Sequence, residues 1–347
     1  MSINIAIDCS PLSSGHRIRG VGMYTKYLIA AIKQVNDPEI VLSSFDTQIP
    51  NWQYQITHYP YFDLFFHTLR IKPKQKTIVT IHDVIPLLFP KAYPPGIRGK
   101  VKFILQKQTL QKVTHVITDS KTSKADIVKY LDYPQEKISV IYLAPANDRS
   151  TKTPKDEVIE KYHLPPRFIL YVGDINYNKN VLGLISACKL INIPLVIVGK
   201  QAVSDDYDAT HTENQPLVEL IRRYGKDTDI IRLGFIEEAN LKTIYQLAAV
   251  YCQPSFYEGF GLPVLEAMSH GCPVVAANTG SLPEICGGAA IMCKPTSTSI
   301  AEALHKTLQD ENLRQNLIAS GLVQVTNFSW EKTATQTINV YKSLILG

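Results

Sequence analysis

Along this sequence short β-branched runs alternate with longer amphipathic stretches, and the alternation is broken once, by a charged segment with prolines at 145, 154, 165 and 166, before it begins again. No other feature limits the fold as strongly. In the first series the runs 3–7, 40–42, 77–81, 115–118 and 138–141 read as strands, and helical spacing covers 21–35, 98–112 and 120–131. Ser120 is placed to cap the last of these helices. After the break, 168–172, 195–198, 229–233, 250–252, 273–277 and 289–292 read as strands separated by helical stretches, and helices near 299–308, 312–325 and 329–346 close the chain. Parallel strands need a crossover, usually a helix, so this alternation implies β-α-β units in doubly wound sheets. The expected class is α/β, with two Rossmann-like doubly wound domains facing a central cleft where a ligand would sit. The expected boundaries are a first domain at 1–150, a linker at 151–166, a second domain at 167–328 and a last helix at 329–347.

The net charge of +5 hides an uneven split: residues 1–166 carry 22 basic and 14 acidic side chains, residues 167–347 carry 14 and 17. A basic first half fits an anionic partner such as a membrane surface, a phosphorylated acceptor or nucleic acid, and it equally fits scattered solvated lysines. A hydrophobic content of 45% with 19% charged residues excludes a disordered or fibrous chain. The six cysteines form no C-x-x-C pair and mostly sit in apolar runs, which points to a reducing, cytoplasmic setting. No window approaches the ~20 apolar residues of a spanning helix, and the first residues lack a leader pattern. Any membrane contact is therefore expected to be peripheral, at the inner face of the cell membrane.

The densest chemistry lies at 256–275, where Glu258 and Glu266 stand eight apart around a Gly259-Phe260-Gly261 turn and a helix opening near Leu262-Pro263. Such a turn exposes backbone N–H groups, and the helix start adds partial positive charge, so phosphate oxygens would be held there. The two carboxylates can accept hydrogen bonds from the hexose and ribose hydroxyls of a nucleotide sugar.

This stretch resembles the E-x7-E signature of the retaining glycosyltransferases of group 1, family four, which have the GT-B fold, and agreement runs along nearly the whole chain. The resemblance implies that Glu258 contacts the donor sugar, that Glu266 contacts the ribose, and that Gly259, Phe260, Gly261 and Leu262 face the sugar and diphosphate. It also implies that the last helix, opened by Phe328-Ser-Trp330, crosses back onto the first domain. In the loop Gly173-Asp-Ile-Asn-Tyr-Asn-Lys179, Lys179 falls on the family's diphosphate lysine, where a cation stabilises the leaving group. Many relatives carry an arginine directly after that glycine or before that lysine; this chain has Asp174 and Asn178. Either one cation suffices with helix-terminal amides, or Arg17 or Arg19 supplies another. Gly20 and Gly22 resemble the family's glycine loop over the donor phosphates, and a dinucleotide fingerprint would want a third glycine where Thr25 stands. His82, in the run 80–86 at a strand end, matches a histidine beside the donor's anomeric carbon; it would orient the sugar or hydrogen-bond near the acceptor, with Asp83 a lesser participant. Gly234 and Phe235 match a loop that flanks the nucleobase, and 278–284 matches a loop that lines the cleft. The stretch 118–127, containing Asp119, reads as fold rather than chemistry. Asp227-Thr-Asp229 spells D-x-D on a charged turn and reads as solvated, so no metal is expected.

The resemblance implies hexosyl transfer with retained configuration, from a nucleotide-diphosphate sugar to a hydroxyl of a glycan or lipid-linked saccharide. The donor is GDP-mannose on similarity to bacterial mannosyltransferases of polysaccharide assembly, and neither cofactor nor nucleic-acid partner is expected. The acceptor belongs on the first domain. There the helix at 98–112, with Arg70, Lys72, Lys74 and Lys76 nearby in sequence, either lies on an anionic bilayer or packs as a solvated helix on its own sheet. A nucleotide-sugar epimerase or sugar phosphorylase of the same architecture, or an inactive nucleotide-sugar-binding module, remains the alternative.

Overall fold

The computed structural model describes residues 2–13, 20–46, 54–66, 68–69, 75–146, 152–204 and 207–346. They form two compact units. Unit 1 comprises Met1–Pro90, Pro94–Ala144 and Phe328–Gly347, and unit 2 comprises Lys91–Tyr93 and Pro145–Asn327.

The strands of unit 1 are β1 (Ile3–Asp8), β2 (Ile40–Phe45), β3 (Ile56–Tyr59), β4 (Lys76–Thr80), β5 (His115–Thr118) and β6 (Ile138–Val140), in the sheet order β2-β1-β3-β4-β5-β6. All pairings are parallel. The strand β3 is absent from the sequence expectation, because Thr57 and His58 interrupt its apolar run. It is nonetheless fully buried in mid-sheet, since both ring nitrogens of His58 are satisfied: Nδ1 lies 2.6 Å from the Tyr341 hydroxyl and Nε2 lies 2.9 Å from Thr80 Oγ1. Tyr341 sits on the terminal helix Trp330–Leu346, which packs on the helix Gly20–Val35 and on β1. The expected cap forms, with Ser120 Oγ accepting from the Ser123 amide at 3.0 Å before the helix Lys121–Leu131.

Unit 2 holds β7 (Ile169–Val172), β8 (Leu195–Val198), β9 (Ile230–Leu233), β10 (Val250–Gln253), β11 (Val274–Ala277) and β12 (Ile291–Cys293), in the order β12-β11-β10-β7-β8-β9. The pairings are again parallel. Strands covered on both faces read as continuous apolar runs, and Leu195, Val196, Ile197 and Val198 are all buried. Each such side chain contributes about 1.5–3 kcal/mol. The chain runs from β7 outward to β9, then returns to the other side of β7 as β10. The junction of β7 and β10 is therefore the topological switch point, where open α/β sheets bind ligands beyond the strand carboxyl ends.

The stretch expected as a linker at 151–166 contains a helix, Lys155–Tyr162, packed against the helix Glu238–Leu247 of unit 2. Its Val158 is fully buried, and Thr153 Oγ1 donates to Asn240 Oδ1 at 2.5 Å. The prolines fall outside this helix, at Pro154 before it and at 165 and 166 after it, so they bound the helix rather than prevent it. The chain passes into unit 2 earlier than expected, at Pro145.

Candidate functional site

At the switch point of unit 2 two loops meet. The loop after β7 carries Gly173 through Lys179, and the loop after β10 carries Ser255 through Gly261. Neighbouring registry of the strands, with Val250 opposite Ile169 and Tyr251 opposite Leu170, brings the loops side by side. Lys179 and Glu258 converge: Lys179 Nζ donates to Glu258 Oε1 at 2.9 Å and to Oε2 at 2.8 Å. Glu258 is buried, and its Oε1 also accepts from Gln253 Nε2 at 2.9 Å and from Ser255 Oγ at 2.7 Å. A buried carboxylate held by a cation and two neutral donors is fixed in one orientation. Gln253 and Ser255 escaped the sequence reading because nothing in their spacing marks them; the sheet alone aims them at Glu258.

The two loops are also joined by asparagines. Asn178 is buried; its side-chain amide donates to the Tyr257 carbonyl at 3.0 Å, its own carbonyl accepts from the Phe256 amide at 2.7 Å, and its Oδ1 accepts from the Tyr93 hydroxyl at 2.5 Å. Asn180 Nδ2 donates to the carbonyls of Pro254 and Pro295 at 2.9 and 3.0 Å. Where the family resemblance implies a phosphate-facing arginine, this chain thus has a residue that ties the loops together. Arg17 and Arg19, the alternative cation sources, lie outside the described residues.

Beyond Glu258 the chain turns through Gly259 and Phe260, whose ring is buried, to Gly261 at φ +98° before the helix Leu262–Ser269. The turn is pinned from below: Ser281 Oγ donates to the carbonyls of Glu258 and Phe260 at 3.0 and 2.8 Å. Gly280 sits at φ +55°, and a Cβ there would lie 2.6 Å from the Glu258 carbonyl oxygen, so only glycine fits. Glu266 lies inside that helix and keeps partial solvent access. Desolvation of its carboxyl nevertheless pushes it up to about 7, against the Tyr245 hydroxyl, which donates to Oε2 at 3.1 Å.

Gly173 follows β7, its amide donating to the Val198 carbonyl at 2.9 Å. Gly234 and the exposed Phe235 follow β9. The D-x-D pair is not simply solvated: Lys189 Nζ lies 2.7 Å from Asp227 Oδ1 and 3.0 Å from Asp229 Oδ2.

In unit 1, Gly20 is exposed at the start of its helix and Gly22 is buried one turn in. His82 follows β4, with Nδ1 2.6 Å from Asp119 Oδ2 and Nε2 donating to the Pro60 carbonyl at 3.1 Å. Burial alone would push the ring below its usual range. The Asp119 charge and hydrogen bond, with Asp83 and the Pro60 carbonyl, outweigh that and hold it above. Asp119, read from sequence as fold alone, is the partner of the strand-end histidine.

Comparison with known proteins follows this geometry. The family model of the group 1 glycosyl transferases matches residues 154–324, and that of glycosyltransferase family 4 matches residues 19–144. The chain is 33% identical over 282 residues to O-antigen chain mannosyltransferase B of Escherichia coli, covering 78% of this chain and 71% of that protein. It is 30% identical over 283 residues to the serotype-specific mannosyltransferase WbdA of Escherichia coli, covering 78% of this chain and 34% of that one, so it spans about a third of WbdA's length. Among solved structures, sucrose-phosphate synthase from Thermosynechococcus elongatus superposes with a TM-score of 0.77 at 19% identity over 99% of each chain. HepE of Anabaena, solved with UDP and glucose, gives 0.72 at 16% identity over 99% of this chain and 100% of that one. The likeness to these structures is one of fold, the GT-B class.

Proposed function

The chain belongs to the group 1 glycosyltransferases, and we propose that it moves a mannosyl unit, with retained anomeric configuration, from GDP-mannose to a hydroxyl of a growing glycan or lipid-linked saccharide. One observation carries the site assignment: Lys179 and Glu258 meet at the switch point of unit 2, in the two loops where a nucleotide ligand of such a sheet belongs. Mannose is favoured by the mannosyltransferases among the relatives.

On this reading the donor lies on unit 2 with its diphosphate over Gly173 and the Gly259–Gly261 turn, its ribose at Glu266, and its base near Gly234 and Phe235. Lys179 leaves Glu258 for the diphosphate as charge grows on the leaving group, and Glu258, still held by Gln253 and Ser255, accepts from the sugar hydroxyls. The acceptor hydroxyl attacks from the face the diphosphate leaves, and a diphosphate oxygen takes its proton. No metal is required, because Lys179 and the turn amides supply the positive charge. Replacing Glu258 by alanine should lower kcat/KM for transfer from GDP-mannose by about 10²–10³-fold. Near-wild-type transfer in that variant would remove Glu258 from the site.

Unit 1 adds a surface suited to a lipid-linked acceptor. The helix Gly96–Leu110 packs Leu110 and Phe103 on the core of unit 1 and buries Gln106, yet it also exposes Ile97, Val101, Ile104 and Leu105, with Arg98, Lys100 and Lys102 exposed around them. Spacing of 97, 101, 104 and 105 puts the apolar four on one face. Phe66, also exposed, lies beneath Lys102 Nζ at 4.8 Å. A basic rim around exposed aliphatic side chains matches an anionic bilayer surface. Arg70, Lys72 and Lys74 lie outside the described residues. No helix among the described residues is long and apolar enough to cross a membrane.

A further inference from the structure

The His82–Asp119 pair has a proton arrangement that the hydrogen bonds define. A carbonyl oxygen only accepts, so His82 Nε2, 3.1 Å from the Pro60 carbonyl, carries a hydrogen. On the other side Nδ1 and Asp119 Oδ2 are 2.6 Å apart, a distance that requires a second proton between them. Without it, the lone pair of a neutral ring would face a buried carboxylate. Asp119 is buried and its Oδ1 has no hydrogen-bond partner among the described residues, so among them the ring is what compensates its charge. The residue is also held mechanically: Ser123 Oγ donates to the His82 backbone carbonyl at 2.9 Å, and against the ring Tyr24 from the helix Gly20–Val35 stands edge-on at 4.8 Å between centroids. Among the described residues, the charged and titratable groups facing it are Asp119 after β5, Asp83 beside it in sequence, Tyr24, and His58 on β3. Burial and the charge of His82 push His58 down to about 3, so that second histidine is neutral and does not compete for the carboxylate.

We propose that Asp119 is the positioning residue of His82, keeping its ring doubly protonated and immobile, so that His82 offers a fixed positive charge at the end of β4 and cannot act as the base for the acceptor hydroxyl. The inference rests on the reading of unit 1 as a participant in transfer, and it deepens that reading: with both ring nitrogens occupied, the acceptor's proton has to leave by another route, the diphosphate oxygen. It also predicts failure of transfer at alkaline pH, when the bridging proton is lost.

The test uses the full chain labelled with ¹⁵N-histidine. Ring nitrogen shifts are followed from pH 5 to 9, with His82 identified by its absence in His82→Gln. The wild-type ring should remain imidazolium at pH 8, and in Asp119→Asn it should be neutral at pH 7. In parallel, the alkaline limb of the transfer pH profile should move to lower pH by one unit or more in Asp119→Asn, with the KM for GDP-mannose little changed, and Asp119→Glu should restore part of the shift. A wild-type ring already neutral at pH 7, or superimposable transfer profiles for wild type and Asp119→Asn, overturns the proposal. Melting temperatures of both Asp119 variants show whether a lost activity is a lost fold, and Asp119→Glu then carries the comparison. A wild-type chain that transfers nothing from any nucleotide sugar refutes the functional reading instead, and the ring titration still decides the pair.

Discussion

Glu266 shows how much one side chain's surroundings add to its sequence position. The eight-residue interval from Glu258 marks it as a hydroxyl acceptor, but only the fold shows that burial pushes its carboxyl up to about 7 against the hydrogen bond from Tyr245. Because its folded value lies above the ordinary one, its contribution to stability is complete below pH ~4.5 and is lost as pH rises through 7. Ligand binding should run the other way. If ribose hydroxyls donate to the ionised form, GDP affinity measured by calorimetry should improve about tenfold between pH 6 and 8, and Glu266→Gln should flatten that dependence. An unchanged dependence in the variant would take Glu266 out of nucleotide binding. At this scale the residues of the motif, Lys179, His82, Glu258 and Glu266, were legible in the sequence. Their partners were not: Asp119 lies 37 residues from His82, and Gln253 and Ser255, though only five and three residues from Glu258, belong to no motif that marks them.

The elements that matter most are the loops after β7 and β10. Their meeting follows from the order of the sheet, which the alternation of strands and helices predicts in kind but not in register. Asn178 is the sharpest case: from sequence it looked like a missing arginine, and in the fold it is the buried tie between the loops, reinforced by the Tyr177–Phe256 ring contact at 5.3 Å. Asn178→Arg should therefore lower activity despite restoring the family's charge. Two side-chain hydrogen bonds at about 1 kcal/mol each would be lost, and the KM for the donor should rise about tenfold or more. A gain in kcat/KM would show that the loop tolerates the arginine and that charge, not the tie, limits this site. The strand β3 was missed for a related reason: Thr57 and His58 look solvent-facing until Thr80 and Tyr341 are known to satisfy His58.

Across the whole molecule, the division into a basic first part and a slightly acidic second part now falls on two units of the same α/β build with different surfaces. Unit 2 concentrates the ionic contacts of the candidate donor site, and unit 1 carries the helix Gly96–Leu110 with four exposed aliphatic side chains. Cosedimentation with vesicles should detect binding to phosphatidylglycerol and not to phosphatidylcholine, weakened by salt and lost in the double variant Ile97→Asp, Ile104→Asp, with transfer to a water-soluble acceptor unaffected. Equal binding by the double variant would make that face an ordinary solvated surface. The central claim is that this group 1 glycosyltransferase retains configuration through a site built on Lys179 and Glu258. Its most direct test is the NMR time course of transfer from α-linked GDP-mannose to a mannoside acceptor: the account predicts an α-mannosidic product from the wild type and its near-disappearance in Glu258→Ala, whereas a β-linked product, or undiminished transfer in the variant, would contradict it.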